Sequence, residues 1–438
     1  MLRMLKNNQT LCGKTTAKDY IVLDFLGGGG QGEVYKVSMD KQSFALKYYH
    51  YAQATPDQLA TLENLIRIGQ PSSNFLWPME IVLNNHLQGF GYVMPLRSPN
   101  FKNLVDLMKR RISPSFRAIA TACIELPHHF YQLHAKGLCY RDISFGNVFF
   151  DPVSGNTLIC DNDNVTVDGQ SVAGVLGTPR FMAPEIVRSE ALPSIQTDLF
   201  SLAILLFYLL MVHHPLEGEK ETKIRCFDLP AMNKIYGFEP IFIFDPNNST
   251  NRPVGKHQQN ANIYWSIYPD FVKELFVKAF TDGIKDPAHG RVRETEWRAC
   301  MAKLRDSILY CNHCGNENFF DESKVDADGN LNYCWHCKKS IQVPPKIRIE
   351  KNLVMLNHDT VLYPHHVSKQ KNYDFSESVA AINQHPTEKN IWGLKNLSST
   401  KWVVTVPDGS VADVLPGQST KISKGKSIHF GNLSGTVE

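Results

Sequence analysis

The chain has 438 residues, room for about three domains at roughly 150 residues each, and its 43% hydrophobic and 20% charged content is that of a globular protein able to bury large cores. A formal net charge of +3 is too near neutral to imply a nucleic-acid partner, which calls for a concentrated basic surface, so none is expected. The start is polar, without the apolar segment of a signal peptide, and the most apolar run, 199–212, is too short to cross a bilayer, so no membrane association is expected.

Residues 1–18 read as a flexible tail. Three short runs follow, 20–26, 34–38 and 43–49, rich in β-branched and aromatic residues and read as strands. A glycine-rich turn joins the first two. Thr55-Pro56 then signals a helix start, with a capping residue and proline at the first helical position. Leu59, Leu62, Leu65 and Ile66 repeat at helical spacing behind it. Two further strand-like runs, 75–83 and 90–96, complete a β-rich lobe over 19–97. After Ser98 helices dominate, over 103–111, 116–135, 198–212, 270–281 and 294–309, giving a second lobe over 98–309. The polar stretch 217–266 reads as an extended, loop-rich insertion. A cysteine-rich module covers 310–340. After Val343-Pro344-Pro345, the tail 346–438 alternates as strands do, with turns at Pro407-Asp408-Gly409 and Pro416-Gly417.

Chemistry concentrates in the first two lobes. Gly27-Gly28-Gly29-Gly30-Gln31-Gly32-Glu33-Val34 fits GxGxxGxV between two strands. Such glycines let the backbone approach phosphate oxygens and offer N–H donors, although a four-glycine run also suits a plain flexible turn. Lys47 follows on the third strand, in Phe44-Ala45-Leu46-Lys47. Glu63 in the next helix is the expected partner of its ammonium. Tyr140-Arg141-Asp142-Ile143-Ser144-Phe145-Gly146-Asn147 sets an aspartate and an asparagine in a loop with four residues between them. The apolar strand Leu158-Ile159-Cys160 ends directly at Asp161, with Asp163 a rival for the same role. Carboxylates and an amide gathered in this way call for magnesium, which would bridge phosphates and neutralise charge that develops during transfer.

These residues resemble the eukaryotic-type protein kinase family over about 16–306. The resemblance implies a bilobal α+β kinase fold. It also implies ATP and magnesium as cofactors, and transfer of the γ-phosphate to serine or threonine hydroxyls of a protein substrate. It assigns nucleotide contacts to Gly27, Gly29, Gly32, Val34, Ala45 and Lys47, with Met94 as gatekeeper and Leu96 in the hinge. It makes Asp142 the catalytic aspartate, and Asn147 and Asp161 the magnesium ligands. Gly177-Thr178-Pro179-Arg180-Phe181-Met182-Ala183-Pro184-Glu185 resembles the peptide-docking segment, with Arg291 as partner of Glu185. Asp198 resembles the buried aspartate that braces the catalytic loop. Thr166, Ser171 and Thr178 are candidate phosphorylation sites, and Arg141 a partner for such a phosphate.

Departures from the family pattern are Tyr140 for histidine, Ser144 for the catalytic-loop lysine, and Asp161-Asn162-Asp163 for Asp-Phe-Gly. They keep two other readings open: a nucleotide-binding pseudokinase scaffold, and a small-molecule kinase, against which the docking segment argues.

Cys311-x-x-Cys314 and Cys334-x-x-Cys337 have the spacing of a four-cysteine structural zinc ribbon, with His313 and His336 on its surface. The other six of the ten cysteines are scattered, which suits a reducing cytoplasm better than a disulfide framework. Ile391-Trp392-Gly393-Leu394 and Ile428-His429-Phe430-Gly431 give the tail a loose likeness to the all-β sandwich of forkhead-associated domains. The arrangement is similar to bacterial kinases of stress and tellurite-resistance operons. That likeness implies a cognate phosphatase and a von Willebrand-type protein as partners.

Overall fold

The computed structural model describes residues 3–84, 89–170 and 177–438. The chain forms two compact units, Met1–Tyr264 with Glu274–Arg298, and Trp265–Lys273 with Ala299–Glu438.

The first unit opens with a closed antiparallel barrel. Its strands are β1 (Thr10–Gly13), β2 (Asp19–Gly28), β3 (Gly32–Met39), β4 (Gln42–Tyr49), β5 (Glu80–Leu83) and β6 (Phe90–Pro95), in the order β1-β2-β3-β4-β6-β5. Of the flexible tail expected over 1–18, the described residues from 3 onward are instead part of this lobe. β1 pairs with both β2 and β5, and Leu5 and Leu11 are buried in the barrel core. The side-chain period of two divides β4 between two cores. Leu46 and Tyr48 face the barrel interior, while Ala45 and Tyr49 join a cluster with Leu62 of helix α1 (Pro56–Ile68). Lys47 shares the second face. α1 starts where Thr55-Pro56 predicts, the Thr55 hydroxyl accepting the Gln58 N–H.

Helices follow, among them α2 (Leu104–Met108), α3 (Phe116–His134), α4 (Pro184–Val187) and α5 (Ile195–Met211). α5 is buried from Thr197 to Met211, as a helix that is apolar on all sides must be. Ser194 and Thr197 close its first turn with a capping box. The stretch expected as an extended insertion is packed. Ile235, Tyr236, Phe242 and Ile243 are buried, and the buried Asn251 donates to the carbonyls of Leu216 and Ile241. Aromatic residues spaced through a polar segment supply that core.

In the second unit, Ile308–Tyr310 pairs with Glu317–Phe319. Asn357 donates to the Ile308 carbonyl, and Tyr268 packs on Phe319. These contacts put residues from Ala299 onward with the C-terminal unit, across the boundary expected at 309/310. A six-stranded and a four-stranded antiparallel sheet follow. Residues of both enter one core around Trp402, with Ile347, Leu362, Leu394 and Ile428.

Candidate active site

The first unit holds a cavity of about 730 Å³ lined by Gly27, Gly29, Gly32, Val34, Ala45, Lys47, Met94, Leu96, Asp142 and Asp161. That volume suits a small-molecule ligand. The loop between β2 and β3 forms its roof. A Cβ at Gly32 would stand 2.3 Å from the Tyr48 carbonyl oxygen, so only glycine lets β3 run so close to β4 there. Gly27, Gly29 and Gly30 face open space, which leaves the loop free to approach a ligand.

Below the cavity, Asp142 is held from two sides. The Thr178 hydroxyl donates to its Oδ1 at 2.8 Å, and the Asn147 amide to its Oδ2 at 3.1 Å and its carbonyl at 2.8 Å. Asp198, at the start of α5, accepts the backbone N–H groups of Tyr140 and Arg141 and so fixes the loop that carries Asp142. His134 in turn bonds Asp198 (3.2 Å) and Glu294. Burial pulls the His134 pKa down, but the two carboxylates more than reverse this and push it up to about 9. Glu185 and Arg291 meet as the resemblance implies, in a buried bidentate pair at 2.8 and 3.0 Å.

Lys47 is almost fully buried and reaches Asp163 at 2.9 Å and Asp161 at 3.5 Å. Burial disfavours its ammonium, and these carboxylates outweigh burial, so its pKa is raised. Asp161 sits in left-handed backbone (φ 50°) with its side chain 39% exposed. Burial raises its pKa against the pull of Lys47, and Asp163 and Asp142 add to the rise. Crowded oxygen donors of this kind fit a hard divalent cation such as magnesium.

The expected pair of Lys47 with Glu63 is not formed. Glu63 points outward and binds Lys14 from the segment after β1. Leu62 and Leu65 define the buried face of α1, and Glu63 is turned off it by about 100°. Thr166 is buried against Cys139, out of reach of a kinase, and the Thr178 hydroxyl is engaged with Asp142. Ser171 lies outside the described residues. Asn162 stands where the family has phenylalanine. It replaces an apolar contact by donating to the carbonyls of Leu76 and Ile159, at 2.9 and 3.1 Å. Sequence reasoning overlooked Gln31, Tyr49 and Tyr92 around Lys47, and His134. Tyr49 had a signal, since it lies two residues beyond Lys47 on the same face of β4.

In the second unit, Cys311, Cys314, Cys334 and Cys337 bring their sulfurs within 4.8 Å of one another. The Cys311–Cys337 and Cys314–Cys334 distances are 3.6 and 3.8 Å, far beyond a disulfide bond. Tetrahedral zinc with Zn–S near 2.3 Å requires sulfurs about 3.8 Å apart, so the four fit that ion. The amides of Asn316 and Asn318 donate to Cys314 and Cys334 at 3.4 and 3.5 Å and orient them. His313 and His336 are exposed. Asp306, His365 and His366 also converge. There, both imidazoles accept a backbone N–H at Nδ1, from Tyr373 and Tyr363. The proton is thereby left on Nε2, which His366 directs at Asp306 (3.2 Å). A metal ligand would need that nitrogen bare, so the trio is a hydrogen-bonded brace.

Among the described residues, no helix is long and apolar enough to cross a membrane. The chain is 26% identical over 256 residues to the cell cycle serine/threonine-protein kinase CDC5/MSD2 of Saccharomyces cerevisiae, covering 53% of this chain and 34% of that protein. It is 31% identical over 194 residues to CBL-interacting protein kinase 4 of Oryza sativa subsp. japonica, covering 41% and 40%. It is 38% identical over 98 residues to ribosomal protein S6 kinase alpha-4 of Mus musculus, covering 21% and 12%. The chain therefore spans less than half the length of each of these relatives. The family model described as protein kinase domain matches residues 20–280, more than half of the chain and all of the cleft from the glycine loop to Glu185. By that match, the chain belongs to the protein kinase family.

Proposed function

We propose that this protein transfers the γ-phosphate of ATP to serine or threonine hydroxyls of a protein substrate, with magnesium. The observation that carries the reading is Asp142, held by Thr178 and Asn147 at the edge of the cavity that also receives Lys47 and Asp161. In this reading the glycine loop covers the phosphates and Lys47 binds their oxygens. Asn147 and Asp161 would hold magnesium, which neutralises phosphate charge when bound. Asp142 orients the substrate hydroxyl and accepts its proton as the new O–P bond forms and the bond from the γ-phosphorus to the ADP oxygen breaks. Positioning and electrostatics supply most of the rate. Thr178 beside Asp142 favours serine and threonine as acceptors.

We read the four-cysteine cluster as a structural zinc ribbon, because four protein ligands leave no open coordination position. The two sheets behind it read as a β-sandwich. A second reading, a nucleotide-binding scaffold, is favoured by Ser144, which leaves the loop without its usual lysine near the transferred phosphate. Transfer of label from γ-labelled ATP, to the protein itself and to a generic basic protein, separates the two readings. Transfer that disappears in Asp142→Asn is the expected result. A folded, nucleotide-binding protein without transfer would favour the scaffold.

A further inference from the structure

Lys47 is a buried ammonium, and the helix glutamate expected to hold it is engaged elsewhere. Its hydrogen-bond partners are Gln31 Oε1 at 2.7 Å and both oxygens of Asp163, at 3.1 and 2.9 Å. Asp163 is itself 2% exposed. The Tyr92 hydroxyl donates to its Oδ1 at 3.1 Å, and the Tyr49 hydroxyl to its Oδ2. Each carboxylate oxygen thus accepts two donors, which uses the full capacity of a carboxylate. No lone pair remains for a cation, so Asp163 is unsuited to the metal-ligand role in which it rivals Asp161. Asp161 lines the cavity and touches Lys47 only at 3.5 Å.

We propose that Asp163, and not a carboxylate of α1, is the positioning residue that fixes Lys47 for turnover. The inference rests on the kinase reading of the cleft. α1 contributes an uncharged group in place of an acid. Gln58 donates to the Tyr49 hydroxyl at 3.1 Å and to the Asp163 carbonyl at 3.3 Å. Glu63 meanwhile ties α1 to Lys14 on the outside of the lobe. Asp161 and Asp163 belong to one short turn, so the clamp on Lys47 and the cleft carboxylate are set by a single element. The direct Lys47–Asp163 pair joins β4 to that turn and includes no charged group of α1. Asp163 occupies the place where the family pattern has glycine, and the same substitution that removes that hinge supplies the counter-charge.

The test compares full-length Asp163→Asn and Glu63→Gln by three readouts: kcat and KM for ATP, the Kd for magnesium-ADP by calorimetry, and the melting temperature. Asp163→Asn should lower kcat at least 100-fold and weaken ADP at least fivefold, with a melting temperature near wild type. Glu63→Gln should stay within threefold on each constant. In a Lys47→Met background, Asp163→Asn should add nothing, because the two residues act as a unit. Losses that multiply, or a Glu63→Gln loss as deep as that of Asp163→Asn, would overturn the proposal. Should Asp163→Asn fail to fold, Tyr92→Phe replaces it and must cost more kcat than Glu63→Gln. If the wild type transfers no phosphate, the kinase reading fails, and the ADP affinities still decide between Asp163 and Glu63.

Discussion

The cleft around Lys47 and the cluster of four cysteines answer one problem, how to hold polar groups together, in opposite ways. In the cleft the chain supplies both signs. Lys47 has Asp163 and Asp161 within 3.5 Å, and two tyrosine hydroxyls and two glutamines complete the network. At the cysteines the chain supplies four sulfurs of one kind within 4.8 Å of one another, a set complementary to a cation that would come from outside. A site with its own counter-charges should respond to the loss of a partner residue and to pH. A four-sulfur site that takes a metal should respond first to the removal of that metal.

The sharpest way to break that contrast is a chelator. Apparent binding energies of structural zinc are on the order of 10 kcal/mol, and in small ribbons that energy belongs to folding. Chelation, or Cys334→Ser, should release one metal per chain and abolish amide protection over residues 308–342. Amides of the cleft should keep their protection. Exchange that is unchanged over 308–342 would show that the local core of Leu309, Phe320, Leu331, Ile341 and Met355 holds the module without metal.

Within the first unit, the buried Arg291–Glu185 pair should give the next largest effect. Arg291 is 4% exposed and also donates to the carbonyls of Gly283 and Gln196, at 2.7 Å each. Removing one partner of such a pair strands the other without water, at a cost of about 3–5 kcal/mol. Arg291→Leu should therefore lower the denaturant midpoint of this unit. The double variant with Glu185→Leu should recover part of the loss, and a single variant with a wild-type midpoint would contradict the geometry.

A smaller effect follows pH. His134 has a folded-state pKa of about 9 against 6.5 for the free side chain. Its stabilisation is complete below about pH 6.5 and declines as pH rises, until it is lost above about pH 9. The magnitude is on the order of 3 kcal/mol. Thermal melts from pH 6 to 9.5 should show that decline in the wild type and a flatter profile in His134→Gln. Parallel profiles would mean that His134 is not the titrating group.

Legibility followed the range over which each signal acts. The grouping of Asp142, Asn147 and Asp161 could be read because short loops fix their spacing. Glu185 and Arg291 could be read through the family pattern, although 106 residues separate them. Glu63 could not, since α1 carries Asp57 as well and the presence of an acid in a helix says nothing about the face it occupies. The neighbouring leucines of α1 hold the buried face, and Lys14, far away in sequence, takes the carboxylate. The first 18 residues look polar, and their role depends on pairing with β5, about 70 residues on. Asp163 was visible only as a rival metal ligand. Its burial and its two tyrosine partners come from strands that sequence alone cannot register.

The smallest predicted effect tests where α1 is anchored. Lys14 and Glu63 are 39% and 48% exposed, and a surface pair of this kind is worth about 0–1 kcal/mol because water and salt screen it. Lys14→Met should shift the melting temperature by no more than about 2 °C, and that shift should shrink as salt is raised. If Glu63 were instead the partner of Lys47, freeing it from Lys14 would raise turnover, because the helix could then deliver its carboxylate inward. The network at Asp163 predicts the opposite outcome: turnover stays unchanged, since Lys47 already has its counter-charge in Asp163. A rise in kcat for Lys14→Met, abolished by adding Glu63→Gln, would move the anchor of Lys47 back to the helix.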